Sequence, residues 1–557
     1  MQSAASGRTN AAIWYAPDGY DPAGKGINGR RVAGESFLRG FMAHAQVDEF
    51  VALTHGPGDA AQFRDFANAQ GATKPLRFLR LDALEGLAPV DVVNYPSPNF
   101  SREVWRRSGY GDSAYALCGV THTTATLGVM QGMFDLRAAP QMPWDAVICT
   151  SRAVRHSIVT QMDLTDAHLV RRFGGKVPPR PLLPVLPLGI HCADFTTDQG
   201  AGAALRAKLG IAEGDIACAI IARLTPEEKF DPLPLYLALA RAQQQSKRRF
   251  HLLLCGQYRS DAARRVFEEG AQSVMPQVGF HPLDGGDGAL RKATLSGADI
   301  FLFPIDNVQE TFGLAPIEAM AAGLPLIVSD WDGMKDTVTP DVGIRVPTEM
   351  PRGDLTAYLG QRYFGGTDSY TQYTSQLSAL TRIDIGALTA ALLRLGGDPD
   401  VRAKMGQAGQ RRARQLYDWS VVIPQMQALW AEQSAMLALA RKEGAGGRIH
   451  PATLPPAPAP GIFFRAYPTR QGADPSRVFR AKPFSDRPDL DRMLDLRGYE
   501  GSKRLIDTRT NVAALLAALE ALGDAGGTAE ELARHAGLSE RAATRVLYWL
   551  MKYDFAE

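Results

Sequence analysis

Cysteine is scarce in this chain and its charges nearly cancel, and both facts exclude classes of protein. The 557 residues include five cysteines, 61 Lys plus Arg and 59 Asp plus Glu, for a formal net charge of +2. So few cysteines exclude a disulfide-dense scaffold, and a charge near zero offers no global attraction to nucleic acid. The cysteines lack metal-ligand spacing and stand within or beside apolar runs, which predicts reduced, buried thiols: Cys118, Cys149, Cys192, Cys218 and Cys255.

Long apolar runs are also missing, as is the pattern of a signal peptide. We therefore expect a cytoplasmic protein without a transmembrane segment, and peripheral attachment at the inner membrane face stays open. Hydrophobic residues make up 45% of the chain, which is enough for real cores. A chain of this length exceeds one ordinary domain and predicts two large domains plus an appendage.

The stretch from Ala298 to Asp330 is the most informative part of the sequence. Its first residues, ADIFLFP, form a short apolar run typical of a buried parallel strand, and LPLIVSD predicts the next strand. Between them lie a polar loop with Glu310 and a helix with Pro316 in its first turn. Ligands of open parallel sheets bind beyond the carboxyl ends of the strands, so we place Glu310 in that crevice.

Glu310 and Glu318 flank the predicted start of this helix, where the helix dipole is positive. For either glutamate alone, a solvated loop acid or a helix-stabilising acid is the simpler interpretation. Glycine at position 313 lets the main chain approach a ligand closely. Four backbone N–H groups between the two acids suit the oxygens of a sugar or a diphosphate: those of Thr311, Phe312, Gly313 and Leu314.

The whole string from Glu310 to Glu318, followed by Ala-Met-Ala-Ala-Gly-Leu-Pro, resembles the E-x7-E motif of retaining nucleotide-sugar glycosyltransferases of family four (glycosyl transferases group 1). The resemblance implies an α/β protein with the GT-B fold, two Rossmann-like domains around an interdomain cleft. In that family the first glutamate contacts the donor sugar near its anomeric carbon. The amides that follow hold sugar hydroxyls and phosphate, and the second glutamate holds the ribose hydroxyls.

Two cations are expected opposite these acids. ACAIIARLTPEEKFDPL, beginning at Ala217, is similar to the family's strand, Arg, turn, Lys-Gly element, with Arg223 and Lys229 as its cations. A departing nucleoside diphosphate accumulates negative charge, which fixed cations stabilise most in the transition state. The alternative interpretation is that Arg223 and Lys229 are ordinary basic residues on the protein surface. Phe230 stands where the family has glycine, so the charge is kept while the local backbone departs from the pattern.

The N-terminal half is expected to form the other wall of the cleft. Its Gly-rich turn, with Gly26 and Gly29, resembles the family loop that closes over the donor phosphates, and flexible turn glycines are an equal alternative. His122 follows an apolar strand and is similar to the family histidine near the donor sugar and the acceptor. We predict that His122 contacts the donor sugar rather than acting as a general base, because the usual acid after it is replaced by Thr123.

Gly279 and Phe280 resemble the end of a short strand that reads the nucleotide base. Asp330 and Asp332 superficially match the D-x-D signature of metal-dependent enzymes of another fold, but structural turn acids are the simpler interpretation. Because Arg223 and Lys229 already supply the cationic role, we predict no cofactor, no metal site and activity that survives EDTA.

The family layout and shifts in composition set the predicted boundaries. Residues 1–194 form the acceptor domain, 195–402 the donor domain, and helices in 403–440 cross back onto the first domain. Residues 351–384, with four tyrosines, are interpreted as a surface loop, and shaping of acceptor access is the alternative. Residues 441–460 form a Gly- then Pro-rich linker.

Residues 461–557 lie beyond the family core. The stretch from Thr528 to Leu547 resembles a helix-turn-helix: Thr528 and Glu531 form a capping box, and Gly537 lies at the turn. Its second helix would expose only Arg541 and Arg545, a thin basic face. We therefore favour a winged-helix-like module for a protein partner over a DNA reader.

Three functions follow from this sequence. The first is retaining transfer of a hexosyl unit from a nucleotide-diphosphate sugar to a hydroxyl of a glycan, lipid or small molecule. The alternatives are a sugar-nucleotide-sensing DNA-binding regulator and a nucleotide-sugar epimerase. Front-face substitution and double displacement through Glu310 remain open.

Overall fold

The computed structural model of the protein describes residues 10–21, 29–472, 474–497 and 507–557. The chain divides into two compact units, Met1–Leu454 and Pro455–Glu557. Each unit has its own hydrophobic core. The first unit holds two six-stranded sheets.

The N-terminal half of the first unit is a parallel sheet in the order β3-β2-β1-β4-β5-β6. Its strands are β1 (Ala11–Trp14), β2 (Phe50–Thr54), β3 (Leu76–Arg80), β4 (Val92–Tyr95), β5 (Ala116–Val120) and β6 (Ala146–Ile148). Its helices are α1 (Pro17–Tyr20), α2 (Gly29–His44), α3 (Pro57–Ala69), α4 (Ser101–Ser108), α5 (Leu127–Ala138) and α6 (Arg152–Phe173). Separate hydrophobic clusters cover the two faces, as a fully buried parallel sheet requires.

The second half repeats this topology, with the order β12-β11-β10-β7-β8-β9 and all pairs parallel. Its strands are β7 (Ile216–Leu224), β8 (Phe250–Tyr258), β9 (Gly279–Asp284), β10 (Ile300–Phe303), β11 (Leu326–Ser329) and β12 (Gly343–Val346). A small antiparallel pair follows, β13 (Thr348–Glu349) and β14 (Arg382–Ile383). The predicted fold class, two Rossmann-like domains, is therefore confirmed.

Eleven described helices accompany the second half and its return to the first. They are α7 (Gln199–Lys208), α8 (Leu233–Gln245), α9 (Asp261–Val274), α10 (Gly288–Gly297), α11 (Leu314–Ala321), α12 (Met334–Thr337), α13 (Gly353–Phe364), α14 (Tyr370–Ala379), α15 (Ile385–Gly397), α16 (Pro399–Leu416) and α17 (Trp419–Lys442). The segment expected to be a surface loop, 351–384, is instead mainly the helices α13 and α14. Ser369 begins α14 with a capping box that the sequence analysis missed.

Helix α17 packs on the N-terminal half rather than on the second sheet. The Trp419 indole donates to the Ser36 hydroxyl (2.8 Å), and Trp430 is fully buried beside Phe41. A Cβ added to Gly189 would lie 2.4 Å from the Trp419 ring, so the absence of a side chain there makes room for the indole.

The second unit is mainly helical, as predicted. It contains α18 (Pro460–Phe463), α19 (Leu490–Arg497), α20 (Arg509–Leu522), α21 (Ala529–Ala536) and α22 (Glu540–Lys552). Thr528 and Glu531 form the capping box of α21, and Gly537 ends that helix in the left-handed conformation (φ 66°). Helices α20 to α22 bury a compact core that includes Leu515 and Leu547.

Candidate active site

The strand order of the second sheet reverses between β7 and β10. Strand β7 carries Arg223 as its penultimate residue, and β10 leads into the loop that contains Glu310. A ligand of an open parallel sheet binds beyond the carboxyl ends at such a reversal. The topology thus brings to one crevice residues that are far apart in the sequence.

Lys229 and Glu310 form the central ion pair of this crevice. The Lys229 ammonium pairs with Glu310 Oε2 and lies 4.8 Å from the centroid of the Phe303 ring. Gly313 donates its N–H to Glu310 Oε1 (3.0 Å). Burial raises the pKa of the Glu310 carboxyl, but Lys229 and the N–H groups of Gly313 and Phe312 outweigh burial and hold that pKa below its ordinary value. Glu310 is therefore an ionised, well-bound carboxylate.

Glycine is required at position 313 for two reasons. Its φ of +85° lies in the left-handed region, which side chains disfavour. An added Cβ would also lie 2.9 Å from Met334 Sδ. The sequence predicted that the main chain at Gly313 approaches a ligand closely. In the structure, the Gly313 N–H binds the Glu310 carboxylate instead.

Arg223 is held by two residues that the sequence analysis missed. Its guanidinium donates to Gln309 Oε1 (2.6 Å) and lies 3.5 Å from Glu228 Oε2. Glu228 is buried and also pairs with Arg259 and accepts from the Thr371 hydroxyl. Gln309 and Glu228 lie in polar turns that follow β10 and β7, and this position is the only feature of the sequence that could have indicated them.

Glu318 is the fifth residue of α11, so it lies just past the first turn of this helix. Burial raises the pKa of its carboxyl to about 7, against the attraction of Arg291 and Lys229. Within the described ranges its side chain makes no hydrogen bond, so the carboxyl is available to a ligand. Leu314, the first residue of α11, is half-buried.

Thr311 and His122 meet across the two halves. The Thr311 hydroxyl donates to the His122 carbonyl (3.1 Å), and the Thr150 hydroxyl donates to the Thr311 carbonyl (3.4 Å). The half-buried His122 thus lies beside the Glu310 loop, while the Phe312 ring is buried near Tyr417.

Asp332 makes a second contact between the halves. The Ser151 hydroxyl at the start of α6 donates to Asp332 Oδ1 (2.5 Å). Burial raises the pKa of Asp332 to about 7; the Ser151 hydrogen bond opposes the shift and the Glu310 charge adds to it. The sequence analysis assigned Asp332 only to a turn, because its partner lies in the other half.

The helices α13 and α14 also cross between the halves. Leu127 at the start of α5 donates its N–H to the Tyr363 hydroxyl (2.8 Å), and the Tyr363 ring stacks on Tyr373 at 4.3 Å. The Thr374 hydroxyl donates to the Glu227 carbonyl (2.9 Å). This pair of helices therefore braces the turn that carries Lys229.

Gly279 and Phe280 require a correction. The sequence predicted that their strand ends at Phe280, but β9 continues through Pro282 to Asp284, so both residues lie at its amino end. Proline is tolerated there because β9 is an edge strand. A Cβ at Gly279 would lie 2.1 Å from His251 Nδ1. Only glycine leaves room for the His251 ring at this position.

The carboxyl ends of β8 and β9 instead line a cavity of about 690 Å³, with Gln257, Tyr258 and Asp284 in its wall.

Of the two glycines predicted to hold phosphate, Gly29 is the first residue of α2, and Gly26 lies outside the described residues.

The described part of the chain contains no cluster of three or more His, Cys, Asp or Glu side chains placed to hold a metal ion. None of its helices is both long enough and apolar enough to cross a bilayer. Metal independence itself stays a prediction.

Residues 203–353, which carry this crevice, match the family described as Glycosyl transferases group 1. This segment is similar to group 1 glycosyl transferases. The chain is 25% identical over 288 residues to a GDP-mannose-dependent monoacylated alpha-(1-6)-phosphatidylinositol monomannoside mannosyltransferase of Corynebacterium glutamicum, covering 49% of this chain and 63% of the relative. It is 33% identical over 185 residues to a D-inositol 3-phosphate glycosyltransferase of Jonesia denitrificans, covering 31% and 42%. The matches thus span less than two thirds of these relatives.

The chain is also similar to solved structures over more of its length. Sucrose-phosphate synthase from Thermosynechococcus elongatus has a TM-score of 0.48 at 19% identity, covering 77% of this chain and all of that one. Anabaena HepE in complex with UDP has a TM-score of 0.45 at 15% identity, covering 76% and 98%.

Proposed function

We propose that the protein is a retaining glycosyltransferase that moves a hexosyl unit from a nucleotide-diphosphate sugar to a hydroxyl acceptor. The observation that carries the proposal is the Lys229–Glu310 pair, completed by the Gly313 N–H at the reversal of strand order. Lysine and a helix-terminal N–H are both ligands for an anion. The donor diphosphate meets these groups when it enters the crevice.

Arg223 and Lys229 stabilise the leaving group in this mechanism. As the bond between the anomeric carbon and the phosphate oxygen breaks, negative charge grows on the diphosphate. Arg223 is 40% exposed and bound chiefly to the neutral Gln309, so it can turn toward that charge. Because this charge is largest in the transition state, the two cations lower the free energy of the transition state more than that of the bound donor.

Glu310 supports front-face substitution rather than a covalent intermediate. Both of its carboxylate oxygens are engaged, one by Gly313 and one by Lys229, which lowers its nucleophilicity. The acceptor oxygen then bonds to the anomeric carbon on the face that the phosphate leaves, and the phosphate oxygen takes the acceptor proton. Glu310 stabilises the positive charge on the sugar. A trapped glycosyl adduct on Glu310 would contradict this route.

Glu318 and His122 complete the donor site in this proposal. The free carboxyl of Glu318 would accept hydrogen bonds from the ribose hydroxyls, and the carboxyl ends of β8 and β9 would hold the base. His122 would face the sugar. GDP-mannose is the first donor to test, because the name of the Corynebacterium relative specifies it. The acceptor is proposed to be a hydroxyl of a glycan, lipid or small molecule.

The test combines donor binding with transfer. Calorimetry with GDP, UDP and ADP, and then with their sugars, identifies the base, and activity is measured with and without EDTA. We expect Glu310→Gln and Arg223→Ala each to lower kcat about 10²–10³-fold, the range seen when one charge-stabilising group is removed. Glu213→Gln and Arg249→Ala, which change exposed residues of the same half, are matched controls.

Two results would overturn the proposal. One is the absence of any nucleotide binding at millimolar concentration. The other is wild-type transfer by both Glu310→Gln and Arg223→Ala. Known relatives give no support to the regulator or the epimerase, and a cytoplasmic location remains part of the proposal.

A further inference from the structure

The second unit begins with a short segment that exposes large apolar side chains. In residues 460–472, here called the aromatic segment, the exposed fractions are 47% for Ile462, 66% for Phe463, 42% for Phe464 and 82% for Tyr467. None of the four belongs to the core of that unit. Exposure of this much adjoining apolar surface marks an interaction site.

The aromatic segment is an ordered loop that begins with the one-turn helix α18. The N–H groups of Ile462 and Phe463 both donate to the Ala459 carbonyl (2.9 Å each), and the Gln471 amide donates to the Gly461 carbonyl near the other end. The Tyr548 hydroxyl of α22 donates to the Gly472 carbonyl (2.9 Å). The loop is therefore closed on itself and joined to the helical core behind it.

The aromatic rings of the loop contact each other. Phe463 meets Phe464 edge to face, with centroids 4.9 Å apart, and Phe464 lies 5.0 Å from Tyr467. This contact fixes the rings as one apolar tip without covering them from solvent.

Positive charge surrounds the tip. Arg465 and Arg470 are exposed and form no ion pair with any residue that the structure describes. The sequence contains no acidic residue between Glu443 and Asp474. Apolar rings next to unpaired arginines match a surface that is apolar beneath a layer of negative charge.

We propose that the aromatic segment docks the protein on a lipid bilayer that contains anionic lipids. The rings enter the interface between headgroups and acyl chains, and the two arginines bind lipid phosphates. A single-stranded nucleic acid is disfavoured because stacking needs free ring faces in succession. Here Phe463 and Phe464 meet edge to face, and Ile462 has no ring.

The test is flotation of the full-length protein with vesicles, without donor or acceptor, so its outcome is independent of transferase activity. Vesicles of phosphatidylcholine with 30% phosphatidylglycerol are compared with pure phosphatidylcholine, which we expect to bind poorly. Phe463→Ala with Phe464→Ala should weaken binding at least about tenfold. Arg465→Gln with Arg470→Gln should weaken it about fivefold for each arginine.

Matched controls distinguish vesicle binding through this loop from nonspecific adsorption of the protein. Phe364→Ala removes a phenylalanine that is 70% exposed in the first unit, and Arg352→Gln removes an exposed arginine there; both should bind like wild type. Unchanged thermal unfolding of all variants shows that folding is intact. A Tyr467→Trp reporter should shift its emission to the blue on anionic vesicles.

Three outcomes would overturn the inference. They are the absence of flotation with anionic vesicles, equal flotation of wild type and the double phenylalanine variant, and a Tyr467→Trp emission that does not change. Complete displacement of vesicles by oligo-dT would assign the loop to nucleic acid instead.

Discussion

Replacing Asp332 with asparagine is expected to stabilise the contact between the two halves at neutral and alkaline pH. Asp332 accepts from Ser151 across the cleft, and burial raises its pKa from 3.8 to about 7. Between these pH values the folded protein keeps a proton that the unfolded chain has lost. Stability therefore falls as the pH rises through this window, and the loss is complete above about 7.

The size of the effect follows from the shift. At about 1.4 kcal/mol per pKa unit, the rise from 3.8 to about 7 corresponds to a ceiling of about 4 kcal/mol. Because Asp332 is only half-buried, solvent screening reduces this figure, and we expect roughly 2 kcal/mol. Asparagine keeps an oxygen for Ser151 and tolerates the positive φ of 37° at this position.

Thermal unfolding from pH 4.5 to 8 tests this reasoning. We expect the stability gap between Asp332→Asn and wild type to widen as the pH rises and to level off above 7, at several degrees of Tm. Asp354→Asn changes a carboxylate that is 64% exposed and should show no such gap. An Asp332→Asn protein that is less stable than wild type at pH 8, or a gap that does not change with pH, would refute the argument.

Further predictions concern the backbone, the bracing helices and the metal. Gly313→Ala should cost about 1–3 kcal/mol of stability and lower transfer, because φ is +85° and Met334 is close; wild-type melting would contradict this. Tyr363→Phe keeps the ring and removes the acceptor for the Leu127 N–H, so denaturant unfolding should show a loss of about 1 kcal/mol, and an unchanged midpoint would count against the contact. Transfer should be the same with excess EDTA as with magnesium, and a metal requirement would contradict the proposed cationic role of Arg223 and Lys229.

Much of the second half could be predicted from the sequence, because local patterns determine it. The apolar run before Glu310 is a strand, and Arg223 at the end of β7 and Glu310 after β10 lie where the strand order reverses. Phe230, which departs from the family pattern, is buried against Phe267 and belongs to the core. These features depend on neighbours in sequence or on the order of strands.

The contacts between halves could not be predicted in this way. Ser151 and Asp332 are 181 residues apart, and nothing near either residue indicates the other. The sequence around Tyr363 does not indicate that its hydroxyl accepts from the Leu127 N–H, because that contact depends on the packing of α13 near the start of α5. The end of β9 was missed because proline usually marks a strand boundary, and only the position at the sheet edge removes its cost.

The distribution of polar groups across the cleft is compatible with binding of the proposed charged donor between the two halves. At Thr311, next to Glu310, the halves meet through neutral groups, the hydroxyls of Thr150 and Thr311 and the carbonyl of His122. The charges of Lys229 are instead matched within the second half, so closure need not strip water from an unpaired ion. In the proposed mechanism, a diphosphate that shares Lys229 with Glu310 adds negative charge to the crevice, and Arg223 is the second cation that can turn toward it.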